Sequence, residues 1–176
     1  MNSNLIQLIS QAEIANTVRR LGLELDRDYQ DRSLVPIGIL KGSFIFLADL
    51  VREIKTPINN IDFLRLSSYG SSMISSGQAK ITMSPSSKAI TGKDIVLVED
   101  IVDTGMTTHA ALQYLHNCQP ASLRLCALLD KPSRRQVPVK IDYLGFEVED
   151  LFVVGYGIDF DQKYRQLPNI YYIVEE

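Results

Sequence analysis

Apolar residues recur at helical intervals near the beginning of the chain. They occupy positions Leu5, Leu8, Ile9, Ala12, Ala15 and Val18. Because this spacing places them on one face of a helix, we predict a first helix from Leu5 onward. Ser3 or Asn4 would cap its start, and Gly22 lies where such a helix would end.

Two segments combine a short apolar run with a helix that follows it. Residues 34–40 are almost wholly apolar, and in residues 44–54 the apolar positions return at helical intervals. Residues 93–98 become apolar toward their end, and the acidic, glycine-bearing loop 99–105 separates them from the helix-compatible residues 110–115. Each pattern predicts a strand, a tight turn and a helix.

Further short apolar runs indicate additional strands. They cover residues 61–66, 123–129, 143–145, 151–154 and 170–174. The polar stretch 67–77 after the first of them has too few apolar residues to pack, so we expect a surface loop there. Alternating strands and helices predict an α/β fold with a doubly wound, mostly parallel central sheet flanked by helices. No repeat or linker divides the sequence, and we expect one domain over residues 1–176.

Composition narrows the class of protein. The chain has 176 residues, of which 45% are hydrophobic and 22% charged, as in an ordinary globular domain. A net charge of -3 without a dense Lys/Arg run argues against a nucleic-acid-binding protein. Residues 1–11 lack the features of a signal peptide, and no apolar run approaches membrane-spanning length, so we expect a cytoplasmic protein without membrane contacts. Cys118 and Cys126 form no CxxC motif and are expected to be packed thiols.

The segment after Val98 is the first candidate site, since ligands of open α/β sheets bind beyond the carboxyl ends of the strands. Gly105 permits close backbone approach, nearby threonines add hydroxyl groups, and a following helix offers free N–H groups to a phosphate. Glu99 and Asp100 would suit ribose hydroxyls as acceptors, which leaves Asp103 free to handle a proton. An acidic, solvated loop end with a capping side chain remains the alternative.

Residues 96–107, which read VLVEDIVDTGMT, resemble the phosphoribosyl pyrophosphate signature of the type I phosphoribosyltransferases. That signature is shared by enzymes acting on adenine, orotate and uracil, by the diphosphokinase that makes the donor, and by regulators that only bind it. Four further segments, residues 39–43, 62–70, 128–135 and 152–165, resemble hypoxanthine-guanine phosphoribosyltransferases in the same order. Together the five segments are distributed over nearly the whole chain.

The resemblance implies a type I phosphoribosyltransferase fold with a small hood subdomain from the chain ends. It implies a purine salvage enzyme that transfers the 5-phosphoribosyl group of phosphoribosyl pyrophosphate to N9 of hypoxanthine or guanine. The products would be IMP or GMP and pyrophosphate, Mg²⁺ would be required, and the enzyme would form a homodimer or homotetramer.

The resemblance also assigns roles to the phosphoribosyl-binding residues. Asp103 would act as the general base at N7 of the purine, a role that a carboxylate can perform chemically. Glu99 and Asp100 would hold the ribose hydroxyls and, with Asp159, magnesium. The 5-phosphate would be bound by Asp103, Thr104, Gly105, Met106, Thr107 and Thr108. As an alternative, Asp103 or Asp159 would be a turn residue.

The remaining roles concern pyrophosphate and the base. Pyrophosphate would be bound by Leu40, Lys41, Gly42 and Arg165, and in the family the peptide between the first two can be cis. The purine would be bound by Lys131, Phe152, Val153 and Asp159, Ser68 and Tyr69 would belong to a lid, and Arg135 would be structural. An ammonium group at O6 would favour oxopurines, because the amino group of adenine would face another donor.

Alternatives stay open at several of these positions. Lys41 could be a solvated lysine, Arg165 a surface ion-pair partner, and Phe152 a plain core residue. Among functions, the alternatives are a xanthine- or adenine-preferring phosphoribosyltransferase and a noncatalytic regulator that binds phosphoribosyl pyrophosphate.

Overall fold

The computed structural model describes residues 4–67 and 80–174. In chain order the elements are β1 (Asn4–Ile9), α1 (Gln11–Asp28), β2 (Leu34–Leu40), α2 (Phe44–Glu53), β3 (Asp62–Ser67), β4 (Lys80–Met83), α3 (Ser87–Ile90), β5 (Asp94–Val102), α4 (Met106–Asn117), β6 (Ser122–Asp130), β7 (Tyr143–Glu147), β8 (Val153–Val154) and β9 (Ile170–Val174). A short 3-10 turn, Pro132–Arg134, follows β6.

Within the described residues, a six-stranded sheet has the order β4-β3-β2-β5-β6-β7. All neighbouring pairs are parallel except β3 with β4 at one edge. The chain winds from β2 toward β3 in one direction and from β5 toward β6 in the other. The expected doubly wound α/β sheet is therefore confirmed, and its direction reverses between β2 and β5.

The sheet separates two apolar cores because successive strand residues face opposite sides. On β5, Val96 and Val98 belong to one core together with Leu21 of α1. Ile95 and Leu97 belong to the other core, which α4 covers. Burial on both faces explains why the strand is an almost continuous apolar run rather than an alternating one.

A smaller sheet is built from the two ends of the chain. Its strand order is β1-β9-β8, and both pairings are antiparallel. Ile9 and Ile170 are buried in the same core as α1 and α2, so the small sheet packs against the helices on one face of the large one. This arrangement matches the expected hood from the chain ends.

The predicted start of the first helix is wrong. Leu5 and its neighbours form β1, whose residues pair with β9, with Leu5 opposite Ile173. The helix begins after Ser10, which accepts a hydrogen bond from the backbone N–H of Glu13 while the Glu13 carboxylate accepts from the backbone of Ser10. It ends at Asp28 rather than near Gly22. Residues 4–9 form a strand despite their helical spacing because they pair with β9. A local pattern does not reveal a partner strand so far away in the sequence.

The predicted loop after Val98 is also shorter than expected. Glu99 and Asp100 lie on β5, which continues to Val102 because its ladder with β6 extends to the pairs of Ile101 with Leu129 and of Val102 with Asp130. Of the predicted surface loop 67–77, residue 67 ends β3 and the rest lies outside the described residues.

The two cysteines meet a simpler expectation. Cys126 is buried and Cys118 half-buried, both as free thiols, and burial raises the pKa of Cys126 well above its ordinary value. None of the helices within residues 4–67 and 80–174 combines the length and apolar character needed to cross a membrane.

Candidate functional site

The candidate site lies where β2 and β5 end side by side. The turn after β2 carries Lys41 and Gly42, and Asp100 on β5 lies directly against it. A Cβ atom at Gly42 would overlap the Asp100 carboxylate, and one at Gly157 would overlap the carbonyl oxygen of Gly42. Close contact therefore joins the turn after β2, the end of β5 and the segment around Gly157.

Glu99 and Asp100 form a buried acidic pair. Their side chains belong to residues that are only 6% and 8% exposed, and Oε2 of Glu99 has no hydrogen-bond partner among the described residues. Burial raises the pKa of both carboxyls, and the charge of Asp100 raises that of Glu99 further. Backbone N–H groups and the charge of Arg165 oppose the increase at Asp100. A buried polar atom without a partner is costly, so this pair is suited to accept a donor or a cation.

The turn between β5 and α4 has a firmly held backbone. Gly105 has φ 85°, and a Cβ there would overlap the carbonyl oxygen of Val137. The carbonyl oxygen of Thr104 accepts hydrogen bonds from the backbone N–H groups of Gln136 at 2.9 Å and Val137 at 3.1 Å. The first turn of α4 follows, with N–H groups that have no partner inside the helix and a positive dipole end. This geometry suits an anion.

The side chains of this turn and of the start of α4 differ in accessibility. Thr107 and Met106 are exposed, whereas Thr108 is buried with 3% exposure. Thr104 Oγ1 accepts from the Met106 N–H at 3.4 Å. The predicted phosphate-binding residues thus surround one helix start, with Thr108 facing inward.

Asp103 lies just outside the buried pair and is ion-paired. Its Oδ1 is 2.8 Å from Nε of Arg134, and its side chain is 40% exposed. Arg135 binds the same residue from its backbone side, since Nε donates to the Asp103 carbonyl oxygen at 3.2 Å. Arg135 also pairs with Asp130 at the end of β6, in agreement with a structural role.

The structure brings the two predicted pyrophosphate cations together through Gln162. Nζ of Lys41 donates to its Oε1 at 2.9 Å, and Nη2 of Arg165 donates to the same atom at 3.3 Å. The Leu40–Lys41 peptide is cis. The Arg165 side chain is 18% exposed and pairs with Asp159, so its alternative role as an ion-pair partner stays open.

Two of the predicted purine-binding segments, those of Lys131 and Phe152, meet at the end of β6. Lys131 is buried, its backbone N–H donates to the carbonyl oxygen of Val102 at 3.0 Å, and its ammonium donates to that of Leu151 at 2.6 Å. Phe152 is 53% exposed, so the alternative of a core phenylalanine is wrong. Its ring meets that of Phe160 edge to face, with centroids 5.1 Å apart. Val153 is buried on β8.

The three predicted magnesium carboxylates do not form one cluster. Asp159 binds Arg165 through Oδ1 at 2.7 Å and the Gln162 N–H through Oδ2 at 2.8 Å. Within the described ranges, no group of three or more acidic, histidine or cysteine side chains could hold a metal. The buried pair still fits magnesium, which takes many of its oxygen ligands from water and substrate phosphates. The predicted lid residues, Ser68 and Tyr69, lie outside the described residues.

Four residues that contact the predicted site had no role predicted from the sequence. They are Arg134, Asp150, Phe160 and Gln162. Arg134, Phe160 and Gln162 fall within or between the family-like segments, but a local pattern gives no indication of which side chains they contact.

Most of the chain matches the model of a known protein family. The model for the phosphoribosyl transferase domain matches residues 7–161, which include both the sheet ends and the segments around them. The match extends well beyond the turn between β5 and α4.

Individual relatives narrow the family. The chain is 44% identical to a hypoxanthine-guanine phosphoribosyltransferase of Bacillus subtilis, over 93% of this chain and 89% of that protein. It is 44% identical to a hypoxanthine phosphoribosyltransferase of Escherichia coli K12, over 93% and 92%. A crystal structure of a hypoxanthine-guanine phosphoribosyltransferase from Bacillus anthracis superposes with a TM-score of 0.89 at 42% identity and covers 96% of this chain and 98% of that one. The chain therefore belongs to the phosphoribosyltransferase family and, within it, to the group of hypoxanthine and hypoxanthine-guanine phosphoribosyltransferases.

Proposed function

We propose that this protein transfers the 5-phosphoribosyl group of phosphoribosyl pyrophosphate to N9 of hypoxanthine or guanine and releases pyrophosphate. The observation that carries the proposal is the position of Lys131. Its backbone is hydrogen-bonded to Val102, immediately before Asp103, and its ammonium to Leu151, immediately before Phe152. One buried lysine thus joins the proton-handling turn to the aromatic ring that would cover the base.

Recognition of the base follows from the hydrogen-bonding capacity of Lys131. An ammonium group has three N–H donors, and one of them is directed to Leu151. A second can donate to O6 of hypoxanthine or guanine. Adenine presents an amino group in that place, and two facing donors at a buried position would leave polar groups unpaired. Phe152 would stack on the base, while the backbone of Val153 and the region of Asp159 would meet its edge.

The ribose phosphate would occupy the turn between β5 and α4. The N–H groups at the start of α4 and the hydroxyls of Thr104 and Thr107 would bind the 5-phosphate. The carboxyls of Glu99 and Asp100 would accept hydrogen bonds from the ribose hydroxyls. These contacts would give a partner to the Glu99 oxygen that has none among the described residues.

Pyrophosphate would lie beside the cis Leu40–Lys41 peptide, against Gly42 and the cations of Lys41 and Arg165. Both cations already converge on one amide oxygen, that of Gln162, which a phosphate oxygen could replace. As the bond to pyrophosphate breaks, negative charge grows on the leaving group, and fixed cations stabilise that charge. Magnesium, which Glu99, Asp100 and a water-mediated Asp159 would hold, would supply further charge neutralisation.

Asp103 would accept the N7 proton of the purine as N9 attacks the anomeric carbon. Its side chain is half-exposed and directed toward the face where Arg134 lies, separate from the buried pair. Proton transfer to a positioned carboxylate typically contributes about 10²–10⁴ in rate. After the transfer, the Asp103 carboxyl would carry the proton, and N7 of the nucleotide product would be unprotonated.

We also propose the domain organisation, oligomeric state, localisation and lid that the resemblance implies. The two sheets share one buried core, which supports a single catalytic domain. A cytoplasmic homodimer or homotetramer, with Ser68 and Tyr69 in a lid over the bound donor, completes the proposal.

The test is a steady-state assay with Mg²⁺ and phosphoribosyl pyrophosphate against hypoxanthine, guanine, xanthine and adenine in parallel. We expect IMP or GMP to form far faster than the adenine nucleotide. Preference for xanthine or adenine would replace the proposed substrate, and donor binding without nucleotide formation from any base would indicate a noncatalytic regulator.

A further inference from the structure

Arg134 occupies a position between two acidic residues from different parts of the site. Its Nε is 2.8 Å from Oδ1 of Asp103, on the turn after β5. Its Nη1 is 3.5 Å from both carboxylate oxygens of Asp150, which precedes the base-binding segment by two residues. The arginine therefore bridges the proton-handling turn and the segment that carries Phe152.

The neighbouring arginine shows that this bridge is not needed to hold the backbone. Arg135 already donates to the carbonyl oxygens of Val102 and Asp103, and Thr104 is fixed by two further backbone hydrogen bonds. These backbone contacts do not fix the orientation of the Asp103 side chain. The hydrogen bond from Arg134 reaches that side chain.

The ion pair between Arg134 and Asp103 is expected to contribute little to the stability of the fold. The side chains of Arg134 and Asp103 are 45% and 40% exposed, and exposed ion pairs contribute little to stability because water and salt screen them. A directional N–H donor nevertheless fixes where the carboxylate points. Geometry of this kind matters most for a group that must meet a substrate atom at hydrogen-bond distance.

We propose that Arg134 is a positioning residue that orients the Asp103 carboxylate toward N7 of the bound purine. Through Asp150, it also keeps that carboxylate in register with the ring of Phe152. This inference rests on the proposed function and deepens it, since it names a residue that acts on the reaction only through Asp103.

Steady-state kinetics of Arg134→Gln, Arg134→Lys and Asp103→Asn would test the proposal, with Arg19→Gln as control. Arg19 is also an exposed arginine that faces a carboxylate, that of Glu53, but it lies on α1. We expect Arg134→Gln to lower kcat about tenfold with a donor KM within about twofold of wild type, because the lost interaction affects the chemical step. Arg134→Lys should recover part of the loss, and Arg19→Gln should behave as wild type.

The double variant separates positioning from a general structural role. With radiolabelled base to follow slow turnover, adding Arg134→Gln to Asp103→Asn should change kcat by less than about twofold, because the two residues act as one unit. The same tenfold loss in both backgrounds, or no loss in the single variant, would overturn the proposal. An inactive wild type would instead refute the proposed function, so the two failures are distinguishable.

Discussion

The carboxyls of Glu99 and Asp100 are nearly inaccessible, whereas that of Asp103, three residues further on, is 40% exposed. The first two lie on β5 between packed strands, and burial raises their pKa values. Asp103 follows the strand and faces the guanidinium of Arg134. Three carboxyls within five residues thus occupy two very different environments.

This difference supports the proposed division of labour, in which Glu99 and Asp100 bind the donor and Asp103 takes part in the chemical step. Oε2 of Glu99 has no hydrogen-bond partner within residues 4–67 and 80–174. A buried carboxyl of this kind gains most from a ligand that brings a hydroxyl or a cation, so the Glu99–Asp100 pair is suited to hold the donor. An accessible carboxylate oriented by an arginine is suited to accept a proton from a base that enters from solvent. The end of the β5 ladder at Val102 would separate the two proposed roles.

Removing the charge of Asp103 should have the largest effect. We expect Asp103→Asn to fold normally and to lower kcat by about 10²–10⁴, since an amide does not accept the N7 proton. Steady-state kinetics and a thermal melt of the same preparation would measure both quantities. Unchanged turnover would refute the proton role. Glu53→Gln is the matched control, because the Glu53 carboxylate is also 40% exposed and faces an arginine, Arg19, at the end of α2.

Disturbing the buried pair from the neighbouring turn should have an intermediate effect. Gly42→Ala places a methyl group on the Asp100 carboxylate, and overpacking of this kind typically costs about 1–3 kcal/mol. We expect a lower melting temperature together with a higher KM for the donor. Gly92→Ala is the control: its φ of +66° makes alanine unfavourable, but no atom of the described part of the chain lies within 4 Å of the added methyl group. It should lose stability and keep donor affinity, and an equal loss of affinity in both would argue against the contact.

The pH dependence of stability should show the smallest effect. Because the folded protein raises the pKa of Glu99 above its ordinary value of 4.5, it holds more protons than the unfolded chain between 4.5 and the raised value. The free energy of unfolding should therefore fall as the pH rises through this window. Glu99→Gln removes that contribution and should be more stable at neutral pH by about 1 kcal/mol.

Urea unfolding at several pH values with EDTA present would measure this difference. Glu149→Gln, at an exposed position, is the matched control. A Glu99→Gln variant with the same pH slope as wild type would contradict the buried environment of Glu99.

The sequence predicted the features that depend on local pattern. β2 and α2 form where the apolar runs predicted a strand and a helix. The turn at Gly105 and the helix that follows it were predicted from residue types alone. The error at Leu5 has a different origin, because its partner Ile173 lies at the other end of the chain. Pairing across that distance decides between helix and strand.

The same limit applies within the site. The family-like segments identified Lys131 and Asp103, but not the ion pair that Arg134 makes with the latter. Nor did they reveal that Lys41 and Arg165 share the amide oxygen of Gln162. Such contacts arise from tertiary packing of segments that are far apart in sequence, so residue types alone do not specify them.

The division of labour is tested most directly by calorimetric titration of phosphoribosyl pyrophosphate, with Mg²⁺, into Asp103→Asn and Glu99→Gln side by side. If Asp103 acts in the chemical step and Glu99 in binding, the first variant should bind the donor within about threefold of wild type and the second at least about tenfold more weakly. The opposite order, with donor affinity lost in Asp103→Asn and kept in Glu99→Gln, would contradict it.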